Sequence, residues 1–203
     1  MDERARPLER ADLDPNPLRQ FAKWFREAHG VVRAPEAMAI ATATPDGRSS
    51  LRMVLLKGFD ENGFVFFTGY ESRKGREMGE NPQAALLFYW DPLGRQVRIE
   101  GDVSRAAREE SDEYFHSRPR AAQLAALASQ QSEVLATRDD LESRYAELER
   151  DLDGKEVPLP EAWGGFRLLP DAYEFWQHRE NRMHDRFRYR RDGDRWTIER
   201  LSP

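Results

Sequence analysis

Hydrophobic residues near the N-terminus recur at the spacing of an amphipathic helix. Leu18, Phe21, Phe25 and Ala28 lie three or four positions apart, and Gly30 follows them. This spacing predicts a helix with one apolar face that ends at Gly30.

From Met38 onward the pattern changes to short apolar and aromatic runs separated by turn residues. Asp46-Gly47 predicts a turn, and Asn62-Gly63 predicts a hairpin turn. Strand composition occurs in residues 38–44, 49–57, 64–68, 84–90, 95–103, 167–169, 173–177, 187–190 and 196–200. Closely spaced strands with such turns predict an antiparallel sandwich or barrel.

Helical patterns separate these strands. Short helices are predicted at residues 72–80, 108–116 and 121–129. A further helix begins after Thr137, which forms a capping pattern with Asp140. The predicted fold class is therefore α+β, a single domain with a mainly antiparallel β-barrel and flanking helices.

The composition is typical of a globular protein. Of 203 residues, 39% are hydrophobic, 34% are charged and 11% are aromatic, and the aromatic share is too high for a disordered chain. No apolar run reaches the roughly 18 residues of a membrane span, and the N-terminus lacks the apolar region of a secretory signal. Cysteine is absent, which excludes disulfides and cysteine chemistry. We expect a cytoplasmic protein without a membrane segment.

Charge and common motifs exclude several further function classes. The formal net charge of -5 argues against a nucleic-acid partner, since such proteins usually carry a basic surplus. The signatures of common nucleotide, phosphoryl, acyl and zinc sites are absent from the sequence. The four histidines form no compact set with carboxylates, so we predict no metal site.

Positive charges next to apolar strands are the main candidates for chemistry. Arg52 and Lys57 flank the apolar residues 53–56, and Arg73 and Lys74 open a predicted helix. Later in the chain, further basic residues are Arg118, Arg120, Arg182, His184 and Arg186. A buried cation costs free energy unless an anion lies opposite, and a phosphate ester is a natural partner.

Each pattern also has an ordinary structural explanation. Arg52 and Lys57 could be solvent-facing strand charges, and residues 73–74 could be an exposed helix start. The arginine-rich residues 179–191 could form a solvated face or a nucleic-acid stripe, and His184 could be a hydrogen-bonded structural histidine. Composition and spacing therefore predict an α+β domain with several candidate anion sites, without indicating a reaction.

A long motif near the C-terminus adds a resemblance. Residues 174–177, Glu-Phe-Trp-Gln, are followed after four residues by Arg-Met-His-Asp-Arg at 182–186. This pattern resembles the signature of the pyridoxine (pyridoxamine) 5′-phosphate oxidase family. Similar blocks occur in family order at residues 52–57, 66–68, 72–74, 95–97, 114–120, 129–132, 156–160 and 163–165. We expect one domain over residues 13–203, preceded by a flexible segment of residues 1–12.

The resemblance implies an FMN-binding split β-barrel that works as a homodimer, with the flavin at the subunit interface. Family members oxidise pyridoxine or pyridoxamine 5′-phosphate to pyridoxal 5′-phosphate, and O2 reoxidises the flavin to give H2O2. The expected partners are therefore these two substrates, O2 and a second copy of the chain.

The resemblance also implies roles for individual residues. The FMN-binding residues would be Arg52, Met53, Val54, Leu55, Leu56, Lys57, Phe67, Thr68, Arg73, Lys74, Gln96, Gln131, Ser132, Trp176 and Arg186. Lys57, Tyr114 and Arg118 would hold the substrate phosphate. Arg182 and His184 would bind the substrate over its pyridine ring, and they are the expected catalytic residues.

Three positions depart from the family pattern. Ala122 replaces a serine that commonly binds the substrate phosphate, while Ala125 and Leu127 stand where glycine and tryptophan are frequent. None of these changes removes a residue assigned to hydride transfer.

Two other functions are alternatives to the oxidase. A different split-barrel flavin reductase would not be expected to keep the 182–186 motif together with Tyr114 and Arg118. A flavin or pyridoxal phosphate binding protein without turnover is favoured by Ala122 alone. The oxidase is the function that the sequence favours.

Overall fold

The computed structural model describes residues 6–193 and 195–203, which form one curled antiparallel sheet with α-helices packed around it. The strands are β1 (Ala37–Ala43), β2 (Ser49–Leu55), β3 (Gly58–Asp60), β4 (Gly63–Gly69), β5 (Gln83–Trp90), β6 (Arg95–Arg105), β7 (Trp163–Gln177), β8 (Asp185–Asp192) and β9 (Arg195–Leu201). The helices are α1 (Pro17–Ala28), α2 (Arg73–Glu80), α3 (Arg108–Ser117), α4 (Arg120–Ala128) and α5 (Arg138–Asp151). The predicted α+β class with a mainly antiparallel sheet is confirmed.

Strand β7 joins the parts of the sheet. The strand order is β2-β1-β5-β6-β7-β4-β3, and β8 pairs with both β7 and β9. The first half of β7 pairs with β4 and its second half pairs with β8. The sheet therefore divides around β7 into two differently paired regions.

The prediction of separate strands at residues 167–169 and 173–177 is wrong, because both belong to β7. The register between β6 and β7 shifts after Glu100, where Gly101 lies opposite Pro170. A Cβ atom on Gly101 would lie 2.1 Å from the carbonyl oxygen of Leu169, so only glycine permits this approach. Proline and glycine suggest a break in the sequence, but here they mark an irregularity inside one strand.

Helix α1 covers the core of the sheet, as its apolar spacing predicts. Asn16 caps it by accepting hydrogen bonds from two backbone N–H groups, and Pro17 occupies its first turn. The fully buried Phe21 lies with its ring centroid 5.0 Å from Phe59 and 4.9 Å from Phe64. These aromatic contacts fix α1 against the sheet.

A second, smaller core forms where α3, α4 and α5 meet. Phe115 and Leu124 are buried with Val157, and the apolar stripe of α5 packs against them. The predicted cap of α5 is confirmed, since Asp140 N–H donates to Thr137 Oγ1 at 3.2 Å and Thr137 N–H donates back to Asp140.

The N-terminal segment is described only from residue 6, so residues 1–5 of the predicted flexible segment lie outside the described residues. Leu8 is buried, and its backbone N–H donates to Asp185 at 3.1 Å. The domain boundary at residue 13 stays a prediction. Within the described residues, no helix combines the length and apolar character needed to cross a bilayer.

We predict that Phe21→Ala lowers the free energy of unfolding by about 3–5 kcal/mol, because it leaves a cavity among packed aromatic rings. Denaturant unfolding measures this change. Val31→Ala is the control, since Val31 is 52% exposed and its truncation should cost less than about 0.5 kcal/mol. Equal losses in the two variants would contradict the assignment of Phe21 to the core.

Candidate active site

A buried carboxylate organises the first group of basic residues. Glu77 of α2 accepts a hydrogen bond from Arg73 Nε at 2.8 Å and pairs with Arg52 Nη2 at 3.2 Å. The hydroxyls of Thr42 and Ser50 also donate to Glu77. Burial raises the pKa of Glu77, but the hydrogen bonds outweigh this effect and lower the pKa to about 2. Glu77 therefore stays charged and holds both guanidinium groups in place.

Lys74 is a buried cation of a different kind. Its Nζ donates to Thr68 Oγ1 at 2.9 Å and to Ser72 Oγ at 3.1 Å, and within the described part of the chain no carboxylate pairs with it. Burial, followed by the nearby charge of Arg52, lowers the pKa of Lys74 to about 8. A buried ammonium with only hydroxyl partners is suited to receive an anion.

The loop after α4 is fastened beside Lys74. Gln131 Oε1 accepts hydrogen bonds from Thr68 Oγ1 at 3.0 Å and from Gly69 N–H at 3.1 Å. The next residue, Ser132, has a φ of 75°, which is uncommon for a residue other than glycine. Of the two predicted residues in this loop, Gln131 thus contacts Thr68, which is also a partner of Lys74, and Ser132 follows it in the chain.

A cleft of about 830 Å³ opens over these residues. Its lining includes Thr68, Ser72, Arg118, Gln131 and Trp163. Ligand pockets commonly enclose about 300–1,000 Å³, so the cleft has room for a cofactor-sized molecule.

Stacked aromatic rings lie between this cleft and a smaller neighbouring pocket of about 210 Å³, and Phe67 lines both. Phe67 stacks on Tyr114 with ring centroids 4.1 Å apart and on Trp163 at 5.6 Å. The Arg118 guanidinium lies 4.9 Å from the Trp163 ring, and Lys57 Nζ lies 5.8 Å from the Tyr114 ring. Of the three residues predicted to hold a substrate phosphate, Arg118 thus lines the cleft, whereas Lys57 and Tyr114 line the adjoining pocket.

One donor group of Arg118 has no partner in the described part of the chain. Its Nη2 donates to the backbone oxygen of Ala122 at 2.8 Å, whereas its Nη1 is buried and has no hydrogen-bond acceptor among the described residues. Burial also lowers the pKa of Arg118. An orphaned, buried guanidinium nitrogen is costly unless an anion binds to it.

The C-terminal motif forms a second group of candidate residues. The His184 ring lies 4.6 Å from Trp176 and 5.4 Å from His178, measured between centroids. His184 Nδ1 accepts a hydrogen bond from Arg179 N–H at 3.1 Å, so in the neutral ring the proton is on Nε2. Burial lowers the pKa of His184, and the charges of His178 and Arg182 lower it further. His184 is therefore neutral at physiological pH.

Arg182 and Arg186 are held by backbone geometry and hydrogen bonds. Arg182 has a φ of 59°, a left-handed conformation in a residue other than glycine. Arg186 Nε donates to the buried Glu174 at 2.8 Å, and its Nη1 donates to the Ser202 carbonyl at 2.9 Å. In the strand register, Trp176 lies between Gln96 on β6 and Arg186 on β8.

The two groups lie at opposite ends of β7. The first surrounds Trp163, where β7 begins, and the second surrounds Trp176, near its end. A straight strand of this length spans up to about 50 Å. Within the described residues, no hydrogen bond, ion pair or ring contact joins one group to the other, and no cluster of three metal-ligating side chains occurs.

Strand β2 carries the predicted residues 52–55, and Leu56 follows it as a buried side chain. The side chains of β2 alternate, with Leu51, Met53 and Leu55 on one face and Arg52 and Val54 on the other. Leu51 and Met53 are more than 60% exposed, although both are apolar. An exposed apolar row at the end of a sheet is typical of a surface that binds another chain.

Two carboxylates that hold candidate arginines were not among the predicted site residues. Glu77 holds Arg52 and Arg73, and Glu174 holds Arg186. Glu77 lies four positions after Arg73, the spacing of a helical ion pair, and this signal could have identified it. Glu174 lies in the quoted C-terminal motif, but nothing in the spacing indicates that it contacts Arg186.

Two protein-family models match this chain. Residues 25–150 match the family model described as pyridoxamine 5′-phosphate oxidase. Residues 163–203 match the model described as the pyridoxine 5′-phosphate oxidase C-terminal dimerisation region. Together the two models match most of the chain.

Individual relatives are similar over nearly their full length. A curated protein of Rubrobacter xylanophilus, named pyridoxine/pyridoxamine 5′-phosphate oxidase, is 58% identical over 191 residues, which is 94% of this chain and 88% of that protein. A protein of the same name from Bordetella pertussis is 55% identical over 190 residues, which is 93% of this chain and 90% of that protein. The crystal structure of PhzG from Burkholderia lata, in complex with tetrahydrophenazine-1-carboxylic acid, has a TM-score of 0.92 at 36% identity and covers 98% of this chain and 99% of its own.

We predict that FMN binds more weakly as the pH rises above about 8, because Lys74 then loses its proton in the empty site. The dissociation constant should rise by up to about tenfold per pH unit above that value. Titration of the apoprotein by flavin fluorescence measures this change. Lys74→Arg is the matched control, because a guanidinium stays charged and should flatten the dependence. The same pH dependence in both proteins would contradict the role of Lys74.

Proposed function

This chain belongs to the pyridoxamine 5′-phosphate oxidase family, and on that basis we propose that it oxidises pyridoxamine 5′-phosphate and pyridoxine 5′-phosphate to pyridoxal 5′-phosphate. It is an oxidoreductase with FMN as its cofactor. O2 is the electron acceptor and H2O2 is the second product. The main structural support is that two separate cation sites adjoin one cleft: Arg118 lines it, and so do Thr68 and Ser72, the hydrogen-bond partners of the buried Lys74. The oxidase needs two such sites, one for the FMN phosphate and one for the substrate phosphate.

The Lys74 site has a donor set that fits the FMN phosphate. Lys74 lacks an acidic partner among the described residues, and Arg73 is 60% exposed at its side chain although Glu77 orients it. Arg52, Thr68, Gln131 and Ser132 complete the proposed phosphate and ribityl contacts. Because Glu77 and Gln131 already hold these groups, little side-chain ordering remains to be done when the cofactor binds.

The Arg118 site fits the substrate phosphate. Arg118 Nη1 supplies an unused donor, Lys57 supplies a point charge, and the Tyr114 hydroxyl supplies a third donor. The hydroxyl that relatives commonly place at position 122 is missing, since this residue is Ala122. One absent hydrogen bond weakens binding by about 1 kcal/mol without affecting the reacting atoms.

We propose that a homodimer unites the two groups of residues. The matched dimerisation region, residues 163–203, contains Trp176, Arg182, His184 and Arg186. Since no contact among the described residues joins this set to the cleft of its own protomer, a second copy would bring the set to it. The exposed apolar row of β2 supplies a surface for that contact.

The proposed roles in the reaction follow from the state of each side chain. FMN, when bound, would supply the hydride acceptor for the substrate and the route of the electrons to O2. The planar Arg182 guanidinium would hold the pyridine ring against the flavin, and His184 would donate a hydrogen bond from Nε2. Arg186, oriented by Glu174, would stabilise negative charge on the reduced flavin.

We also propose a cytoplasmic location and a role in vitamin B6 metabolism. The absence of cysteine agrees with a reducing cytoplasm, where the product would serve the synthesis and salvage of vitamin B6. The alternatives are a flavin or pyridoxal phosphate binding protein without turnover and another flavin reductase of the same fold. The reductase lacks support from Lys57, Tyr114 and Arg118, which are suited to a phosphorylated substrate, and turnover distinguishes the oxidase from the binding protein.

An anaerobic absorbance experiment tests the function. The purified protein with FMN is mixed with pyridoxamine 5′-phosphate, and we expect the flavin band to bleach and to return in air as pyridoxal 5′-phosphate forms. Unphosphorylated pyridoxamine is the control and should bleach the band far more slowly. Bound flavin that never bleaches would favour the binding protein or the reductase, and a protein that binds no flavin would contradict the proposal.

We predict that Arg182→Ala lowers kcat by at least about tenfold while changing FMN affinity by less than about twofold, because Arg182 would contact the substrate and not the cofactor. Steady-state kinetics and flavin titration measure the two effects. Arg190→Ala is the control, since Arg190 is an exposed arginine of the neighbouring β8. Equal losses of turnover and FMN affinity in Arg182→Ala would contradict its role.

A further inference from the structure

The segment between α5 and β7 passes beside the substrate-phosphate residues. Residues 155–160 have no regular secondary structure, so their carbonyl groups lack a backbone ladder. Val157 in this segment is buried against Phe115 and Leu124. Farther along, Pro160 and Trp163 line the cleft. The position of the segment therefore affects the wall of the cleft.

Three basic side chains of α3 and α4 hold the carbonyl groups of this segment. Arg120 donates to Lys155 O at 2.8 Å and also to Leu152 O. Arg108 donates to the oxygens of Leu159, Pro160 and Trp163 at 3.1, 3.2 and 3.3 Å. His116 lies between them, with Nε2 at 3.1 Å from Val157 O. These bonds take the place of the missing ladder.

His116 differs from the two arginines because both of its ring nitrogens face carbonyl oxygens. Nε2 faces Val157 O, and Nδ1 lies 3.0 Å from Asp112 O in its own helix. A carbonyl oxygen only accepts, and a neutral imidazole has only one N–H group. Only the doubly protonated ring therefore donates to both carbonyls, and a neutral ring turns a lone pair toward one of them.

The charged groups around His116 also favour its protonated form. Asp112 on α3 lies 3.5 Å from Nδ1, and Glu156 on the segment lies 3.3 Å from Nε2. The positive charges that oppose protonation are those of Arg120 on α4 and Lys155 on the segment. Both side chains donate to backbone oxygens next to this contact. Two carboxylates at direct ion-pair distance favour the charged ring.

His116 lies in the last turn of α3, between two of the substrate-phosphate residues. Tyr114 is two positions before it and Arg118 two positions after it. The ring of the intervening Phe115 lies 5.3 Å from Trp163, the ring beneath the Arg118 guanidinium. A shift of the segment away from α3 would therefore move the support of Arg118.

We propose that doubly protonated His116 is a positioning residue that fastens residues 155–160 to α3 and so holds Tyr114, Arg118 and Trp163 in the arrangement that binds the substrate phosphate. This inference rests on the proposed function, since it assigns that phosphate to the Arg118 site.

The pH dependence follows from the direction of the pKa shift. Burial lowers the pKa of His116, but the two carbonyls and the two carboxylates together raise it above its usual value. The stabilisation is thus complete below the unfolded pKa and is lost as the pH rises through the higher, folded pKa. Phosphate binding should weaken over the same range.

The binding test compares His116→Gln with wild-type holoenzyme from pH 6 to pH 9, with pyridoxal 5′-phosphate as the probe. The ratio of the two dissociation constants cancels the ionisation of the probe and of other groups. We expect a ratio of about three to ten at pH 6 and a ratio near one at pH 9, because the wild-type ring is then neutral. Arg120→Gln is the matched control, since it removes a permanently charged contact and its ratio should not change with pH.

A ratio for His116→Gln that stays constant with pH would overturn the proposal. If that variant does not fold, nitrogen NMR of wild-type holoenzyme decides, because it reports the protonation of Nδ1 and Nε2 directly. A ring that is neutral at pH 6.5 would also overturn it. Neither measurement needs turnover, so an inactive protein that binds the probe with the expected ratio would contradict the oxidase and leave the role of His116 supported.

Discussion

The close approach of Gly101 to the backbone of β7 is the constraint on which the arrangement of the sheet depends. No side chain fits between Gly101 and the Leu169 carbonyl, and opposite this contact the β6–β7 register shifts at Pro170. One long strand can then pair with β4 before the shift and with β8 after it. The candidate residues consequently fall into two groups, one at each end of β7, and the proposed dimer is the way in which one ligand can meet both.

Around the cleft, some cations are neutralised by a carboxylate and others are left for a ligand. Glu77 accepts from Arg52 and Arg73, so these arginines are oriented before any ligand arrives. Lys74 and Arg118 have no such carboxylate among the described residues, and burial lowers the pKa of each. An anion binding there removes an existing electrostatic cost, which favours phosphate at those two places. The same principle explains the contact of His116, where carbonyls and carboxylates favour a charged ring.

Local patterns predicted most of the elements because their signals lie within a few residues. The apolar spacing of α1 and the Thr137–Asp140 cap of α5 are examples, and both are confirmed. The prediction failed at β7, where Pro170 suggests an end but the partner strand accommodates it at a glycine 69 positions earlier. The anion sites were predicted from residue type alone, and the alternative of solvated charges stayed open until burial and partners were known.

The order of most elements, the α+β class and, through the motifs, the family and its cofactor could be predicted from the chain alone. These depend on residue type and short spacing, which a linear chain displays directly. The tertiary structure decided which basic residues are held by a carboxylate and which keep a free donor. It also decided that the C-terminal motif lies away from the cleft of its own protomer. Such pairings join residues far apart in the chain, as Arg52 and Glu77 are, and no local pattern encodes a contact between groups that only folding brings together.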